Sequence, residues 1–274
     1  MSALRHLLDL LWPRSCLACG RLLGTAEGPG APPTALASAS PLGLCCACRA
    51  RLVAIDPLAS CRTCALPLAP LPPGSDLQRC GRCLAAPPPF DRLTALWRYE
   101  TPLREVVQAF KFARLDFLGA HFARALGRAF AGRAAEAGWR PPDLVVPVPL
   151  PWPRRLARGF NQTELVAGPL ARELGRPCPR ALRRLAFAPH QTGQRRSERG
   201  RAGHFRVSDP AAVAGRSILL IDDVLTTGAT VGAASLALRR AGAGRIEVAV
   251  VGWTPLAGSV RAVQEAPCRR IDSP

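Results

Sequence analysis

The residues best placed to do chemistry fall in two groups: paired cysteines in the first third of the chain, and an acidic-hydroxyl run near its end. The run is Asp222-Asp223-Val224-Leu225-Thr226-Thr227-Gly228-Ala229-Thr230, preceded by the apolar stretch Ile218 to Ile221. An apolar run entering two carboxylates and then a Thr/Gly turn reads as a strand meeting a helix. At such a joint, backbone N–H groups, hydroxyls and the helix dipole stabilise a phosphate dianion, and Gly228 lets the backbone come close to it. Two carboxylates beside a phosphate repel that ligand unless they meet something else. Ribose hydroxyls, which donate to carboxylates, and Mg²⁺ are the natural complements. The stretch therefore calls for a ribose phosphate.

The cysteines carry the second chemistry. Eight of the eleven stand in Cys-x-x-Cys units: Cys16/Cys19, Cys45/Cys48, Cys61/Cys64 and Cys80/Cys83. Two such knuckles complete a tetrahedral Zn²⁺ shell, and four thiolates leave no open coordination position, so the zinc is structural. A redox role for one unit is disfavoured by the presence of four within a short stretch. Sequential pairing puts Cys16, Cys19, Cys45 and Cys48 on one zinc and Cys61, Cys64, Cys80 and Cys83 on another. An interleaved cross-brace is the alternative; the sequential pairing needs fewer chain crossings. Cys46, Cys178 and Cys268 lack partners at this spacing.

The elements that must position these groups are legible in outline. Leu93–Tyr99 suits a strand, Pro102–Ala113 and Phe117–Phe130 read as helices, and Asp143–Leu150 is a buried strand stopped by Pro147 and Pro149. A helix is expected over Asn161–Leu174, kinked or interrupted at Gly168-Pro169. A strand over Ser217–Asp222, a helix over Thr230–Arg240 and a strand over Arg245–Trp253 complete the series. Apolar strands alternating with helices predict an α/β fold with a mostly parallel sheet flanked by helices. Prolines 87 to 89 break regular structure and suggest a division into a cysteine-rich zinc-ribbon module (1–88), an α/β domain (89–255) and a flexible tail (256–274). Leu4, Leu7, Leu8 and Leu11 fit a short amphipathic helix too charged for a secretory segment. A cytoplasmic protein is expected, in which the thiols bind metal rather than form disulfides.

The formal charge is +18, and of the 37 basic residues Lys111 is the only lysine. Two four-thiolate zinc sites would lower the charge to roughly +14. That still suits polyanions: nucleic acid, an anionic surface or a phosphorylated metabolite. Aromatic content is 5%, sparse for stacking single-stranded bases but no obstacle to phosphate contacts.

The run ILLIDDVLTTGAT resembles the ribose-5-phosphate signature of type I phosphoribosyltransferases, which bind phosphoribosyl pyrophosphate (PRPP). Together with VVPVPLPWPRRLARGFNQTELVAGPLA, FKFARLD around Lys111 and the Cys-x-x-Cys pairs, it resembles the ComF family. That resemblance implies a type I phosphoribosyltransferase-like domain behind a zinc module, with a role in DNA uptake or in the use of DNA as a nutrient. It implies that Asp222 and Asp223 hold the ribose hydroxyls, and that Thr226, Thr227, Gly228, Ala229 and Thr230 hold the 5′-phosphate. Arg158, in the motif Arg158-Gly159-Phe160-Asn161-Gln162, would meet pyrophosphate or a nucleic-acid phosphate, unless the motif is a packing turn with Asn161 as N-cap. Lys111 would reach a phosphate from its helix. The basic segment 188–205 would match the loop that closes over PRPP, although no Asn stands between Arg199 and Phe205, where the family usually has one. The implied activities are Mg²⁺-dependent phosphoribosyl transfer from PRPP in DNA utilisation or nucleotide salvage, or a non-catalytic competence factor with a regulatory PRPP pocket. The second would engage single-stranded DNA or a DNA-uptake helicase or similar partner.

Overall fold

The computed structural model describes residues 15–23, 42–69, 78–113, 115–133, 139–185 and 205–255. The leucine-rich start, the basic segment before Phe205 and the tail after Pro255 lie outside the described residues. Among these described residues thirteen elements follow in order. They are α1 (Cys46–Ala50), α2 (Gly81–Ala85), β1 (Arg92–Arg98), α3 (Leu103–Phe112), α4 (Phe117–Arg133), β2 (Leu144–Pro147), α5 (Trp152–Arg158) and α6 (Gln162–Glu173). Then come β3 (Leu182–Arg184), β4 (Phe205–Val207), β5 (Ser217–Leu225), α7 (Ala229–Arg240) and β6 (Arg245–Trp253).

The expected parallel sheet is present, with strand order β1-β6-β5-β2 and every pairing parallel. β5 and β6 are central, and their apolar stretches Ile218–Ile221 and Val248–Val251 reflect cover on both faces. Strand alternation sends Ile218 and Leu220 to one face, where they pack with Val231, Ala234 and Leu238 of α7. Leu219 and Ile221 point to the other face, against Val107 and Phe110 of α3, Phe122 of α4 and Leu170 of α6. The result is a three-layer α/β arrangement with a small antiparallel pair, β3–β4, attached.

The cysteine-rich part is not a separate bead. Cys16, Leu44, Cys45 and Cys48 belong to the same apolar cluster as α3 and α4. The segment joining the two cysteine groups runs along the outer edge of β1. Arg98 N donates to Val53 O at 2.8 Å, Ile55 N to Leu96 O at 3.0 Å and Leu93 N to Arg62 O at 2.9 Å.

Three expectations needed correction. The strand expected over Ser217–Asp222 continues to Leu225, so both acids lie within β5 rather than at its tip. A helix the sequence reading left unassigned, α5, occupies Trp152–Arg158; its proline at the first turn costs no hydrogen bond there.

Gly168-Pro169 does not interrupt α6. Pro169 cannot donate to Leu165 O, one turn earlier, and that carbonyl faces Gly119 of α4. A Cβ added at Gly119 would stand 2.6 Å from Leu165 O. The proline and the glycine thus serve one close helix crossing. Gly119→Ala is expected to destabilise the chain by about 1–3 kcal/mol, because the obstacle is backbone. Gly127→Ala, which meets only the movable Glu173 carboxylate, should cost less; thermal unfolding of both variants checks the order.

Candidate phosphate-binding site and metal centres

β5 carries Asp222 and Asp223, both partly buried, and runs on through Leu225 to the Thr226–Gly228 bend. Thr226 and Thr227 are exposed. Gly228 takes φ +75° at the N-cap of α7, with no side-chain cap on that helix end. A side chain there would be strained, and the space beyond it is open. Ala229 N donates to Thr227 Oγ1 at a long 3.4 Å. An uncapped helix start beside two exposed hydroxyls is the setting that favours an anion.

The two carboxylates lie in different surroundings, and the period of the strand explains why. Asp223 continues the face of Leu219 and Ile221, where α3 packs, and its Oδ2 lies 3.0 Å from Lys111 Nζ; both side chains are at least four-fifths buried. Asp222 continues the face of Ile218 and Leu220 and accepts from Asp223 N at 2.9 Å. Burial, and next the charge of Asp223, push the Asp222 carboxyl up to about 7; the Asp223 amide, Lys111 and Arg184 oppose the shift. Arg184 of β3 stacks 5.2 Å over the Phe205 ring. The sequence reading missed Arg184, because nothing in LRR marks which arginine of a basic strand faces an acid on a distant one.

The Arg158–Gln162 motif brings the start of α6 to the same place. Arg158 sits 4.7 Å over the Phe112 ring and donates to Gln162 Oε1 at 3.2 Å. Burial pushes the guanidinium down and Asp223 pulls it back up. Gln162 Nε2 donates to Lys111 O at 3.3 Å, tying the motif to the end of α3. Asn161 is the N-cap by position but makes no capping bond. Instead Asn161 Nδ2 and Thr163 Oγ1 both donate to Val148 O, at 3.3 and 2.7 Å, and fix the chain leaving β2. Lys111, Arg158, Asp222 and Asp223 are therefore brought together.

The eight paired cysteines form two groups, Cys16/Cys19/Cys45/Cys48 and Cys61/Cys64/Cys80/Cys83, with the Sγ atoms of each group within 4.8 Å of one another. This is the sequential pairing. The two groups are built alike. Cys45 N donates to Cys16 Sγ and Cys80 N to Cys61 Sγ, each at 3.3 Å. Cys45 and Cys80 each stand at the N-cap of a short helix, α1 and α2, and Cys45 Sγ also accepts from Cys48 N. Gly20 closes the first knuckle at φ +72°, and Ala65 closes the second at φ +60°, a conformation rare for alanine. Four sulfurs so close cannot all ionise without a cation. A thiol hydrogen bond from Cys64 holds Cys61 down near 4, and Cys64 is pushed up in return. In the other group burial opposes ionisation of Cys16, but backbone donors led by Cys45 bring it to about 6; burial and the neighbouring thiols push Cys48 up to about 12. Four soft ligands, amide donors to sulfur and closed packing fit structural Zn²⁺.

A parallel sheet covered by helices, with an acid pair and a Thr/Gly bend at the end of its central strand, defines a protein with a phosphoribosyltransferase domain. The family model described as the phosphoribosyl transferase domain matches residues 162–272. Among curated proteins the chain is 35% identical to the DNA utilization protein YhgH of Salmonella typhimurium over 165 residues, covering 58% of this chain and 70% of that one. It is 33% identical to YhgH of Escherichia coli K12 over the same shares, and 30% identical to competence protein F of Haemophilus influenzae over 58% of this chain and 71% of that one. The chain belongs to the ComF/YhgH family. Among solved structures, glutamine PRPP amidotransferase from B. subtilis matches at 21% identity and a TM-score of 0.34, over 49% of this chain and 26% of that one. This chain thus spans about a quarter of that structure. Among the described residues, no helix is long and apolar enough to cross a membrane.

Proposed function

We propose that the chain binds PRPP, or a closely related ribose 5-phosphate, and acts on it in DNA utilisation or nucleotide salvage. The observation that carries this reading is the open Thr226–Gly228 bend at the uncapped start of α7, at the end of the strand that carries Asp222 and Asp223. The 5′-phosphate would rest on the amides and hydroxyls of the bend, and the ribose diol would donate to the two carboxylates. Mg²⁺ arriving with the ligand would supply charge neutralisation of the pyrophosphate. Lys111 offsets the repulsion between Asp223 and an incoming polyanion, and Arg158 stands near enough to Asp223 to share that task. If transfer occurs, positioning of ribose and leaving group outweighs strong acid–base chemistry, since the transition state is oxocarbenium-like. The family relatives named for DNA utilization and competence support placing the activity in that setting.

A second reading has its own observation. α5 carries Arg154, Arg155 and Arg158 beside Trp152, which is 63% exposed. A basic strip with an exposed ring suits a single-stranded nucleic acid, with the ribose-phosphate site as a regulatory pocket.

Calorimetric titration of PRPP with Mg²⁺ tests the first reading. Asp222 must be ionised to accept from the diol, so affinity is full above about pH 7 and falls below it. Wild type and Asp222→Asn should differ by at least about tenfold at pH 8 and converge at pH 6. Asp222→Asn/Asp223→Asn should lose binding at both. Absence of saturable binding by the wild-type chain would sink the reading.

A further inference from the structure

A cavity of about 360 Å³ lies away from the bend, between the segment around Ile55–Ala65, β1 and α4. Four arginines line it: Arg62, Arg92, Arg128 and Arg133. Arg133 is buried and spoken for, since its guanidinium makes a two-pronged contact with Glu247 and also donates to Thr94. Arg62 and Arg128 are exposed at the mouth, and neither has a carboxylate partner among the described residues. No carboxylate lines the cavity among those residues either. The walls are apolar, with buried Leu93 on the floor and Leu58, 78% exposed, at the rim.

Arg62 and Arg128 both line this space, and an oxyanion bound by two guanidinium groups offsets their mutual repulsion while filling their planar donor forks. The apolar floor has no use for a bare anion but suits a small hydrophobic body attached to one, and the volume is at the small end of ordinary ligand pockets. We propose that this cavity is a second ligand site, selective for a small organic phosphate monoester, independent of the ribose-phosphate site. The ester's phosphate sits between Arg62 and Arg128, and its apolar part rests on Leu93 under Leu58.

The test uses the full, zinc-loaded chain carrying Thr226→Glu/Thr227→Glu, two exposed changes that close the bend to phosphate. Calorimetry is run with phenyl phosphate and with inorganic phosphate. Saturable binding of phenyl phosphate is expected, with inorganic phosphate at least about threefold weaker. Arg62→Gln/Arg128→Gln should weaken phenyl phosphate by about tenfold or more, whereas Arg154→Gln/Arg155→Gln, which removes the same charge elsewhere, should change it less than about twofold. Leu58→Asp should weaken it without altering the thermal transition. Equal losses in the two arginine pairs, equal affinity for the two phosphates, or no saturable binding would each overturn the proposal, while leaving the PRPP titration of the unaltered bend untouched.

Discussion

Cys48→Ser is expected to lower the main thermal transition of the chain by more than about 10 °C, whereas Cys83→Ser should leave that transition nearer its place and loosen only its own surroundings. Both side chains are buried and both belong to four-sulfur groups. The difference lies in what each group packs against. Cys16, Cys45 and Cys48 share a core with Phe110, Leu118, Phe122 and Leu126, the helices that cover one face of the sheet. Cys61, Cys80 and Cys83 form a small cluster completed by Cys64, Leu66 and Leu68. Structural zinc contributes about 10–16 kcal/mol of binding free energy in small peptides, as much as the whole stability of a typical domain. A loss on the order of 4 kcal/mol at the first group therefore propagates into the sheet's cover. Calorimetry with hydrogen exchange separates the cases: Cys83→Ser should lose protection around 60–68 and 78–86 alone. Equal shifts for the two variants would show that the groups are energetically one unit. Acid acts in the same direction on both, because each cysteine must lose its proton to bind metal. Zinc bound at either group would be released as pH falls.

The second large effect is expected from Glu247→Ala, a cost of about 3–5 kcal/mol. Arg133 Nη1 lies 3.0 Å from Glu247 Oε2, and the side chains are 4% and 8% exposed. Arg245 also pairs with this carboxylate. Removing it leaves a buried guanidinium without this carboxylate, between the end of α4 and the start of β6. The paired change Arg133→Met/Glu247→Leu removes both charges and fills similar volume, so it should cost much less than the single change. Urea unfolding of the three proteins checks this; a double variant as unstable as the single one would mean that shape, not charge, governs the site.

Much of this was legible in the sequence, for reasons that differ by element. The cysteine pairing could be read because knuckle spacing and chain crossings limit the choices, and the two sulfur groups follow it. The parallel sheet could be read because β5 and β6 are buried on both faces and so each carry a four-residue apolar stretch, Ile218–Ile221 and Val248–Val251. What escaped was set by contacts across the fold. WPRRLAR gives no clear helical signal, with Pro151 before it and Pro153 inside it, yet a proline in a first turn is harmless. Pro169 looked like a break, yet the carbonyl it frees lies against a glycine of the neighbouring helix. The acid pair looked like one charge cluster. Alternation along β5 sends the two side chains to opposite faces, one toward Lys111 and one toward Arg184. Lys111 stood out only as the single lysine; its carboxylate partner could not be read from a linear chain.

The stretch from Val53 to Arg62 is more than a connector between two metal knots. By bonding to Leu96, Arg98 and Leu93 it occupies the outer rim of β1, the place where an open sheet would otherwise recruit a strand from another molecule. Metal starvation would slacken both anchors of this guard at once and bare a row of amides and carbonyls. Zinc in both groups would thus do more than brace the fold: by holding this stretch in place it would keep the rim of β1 covered.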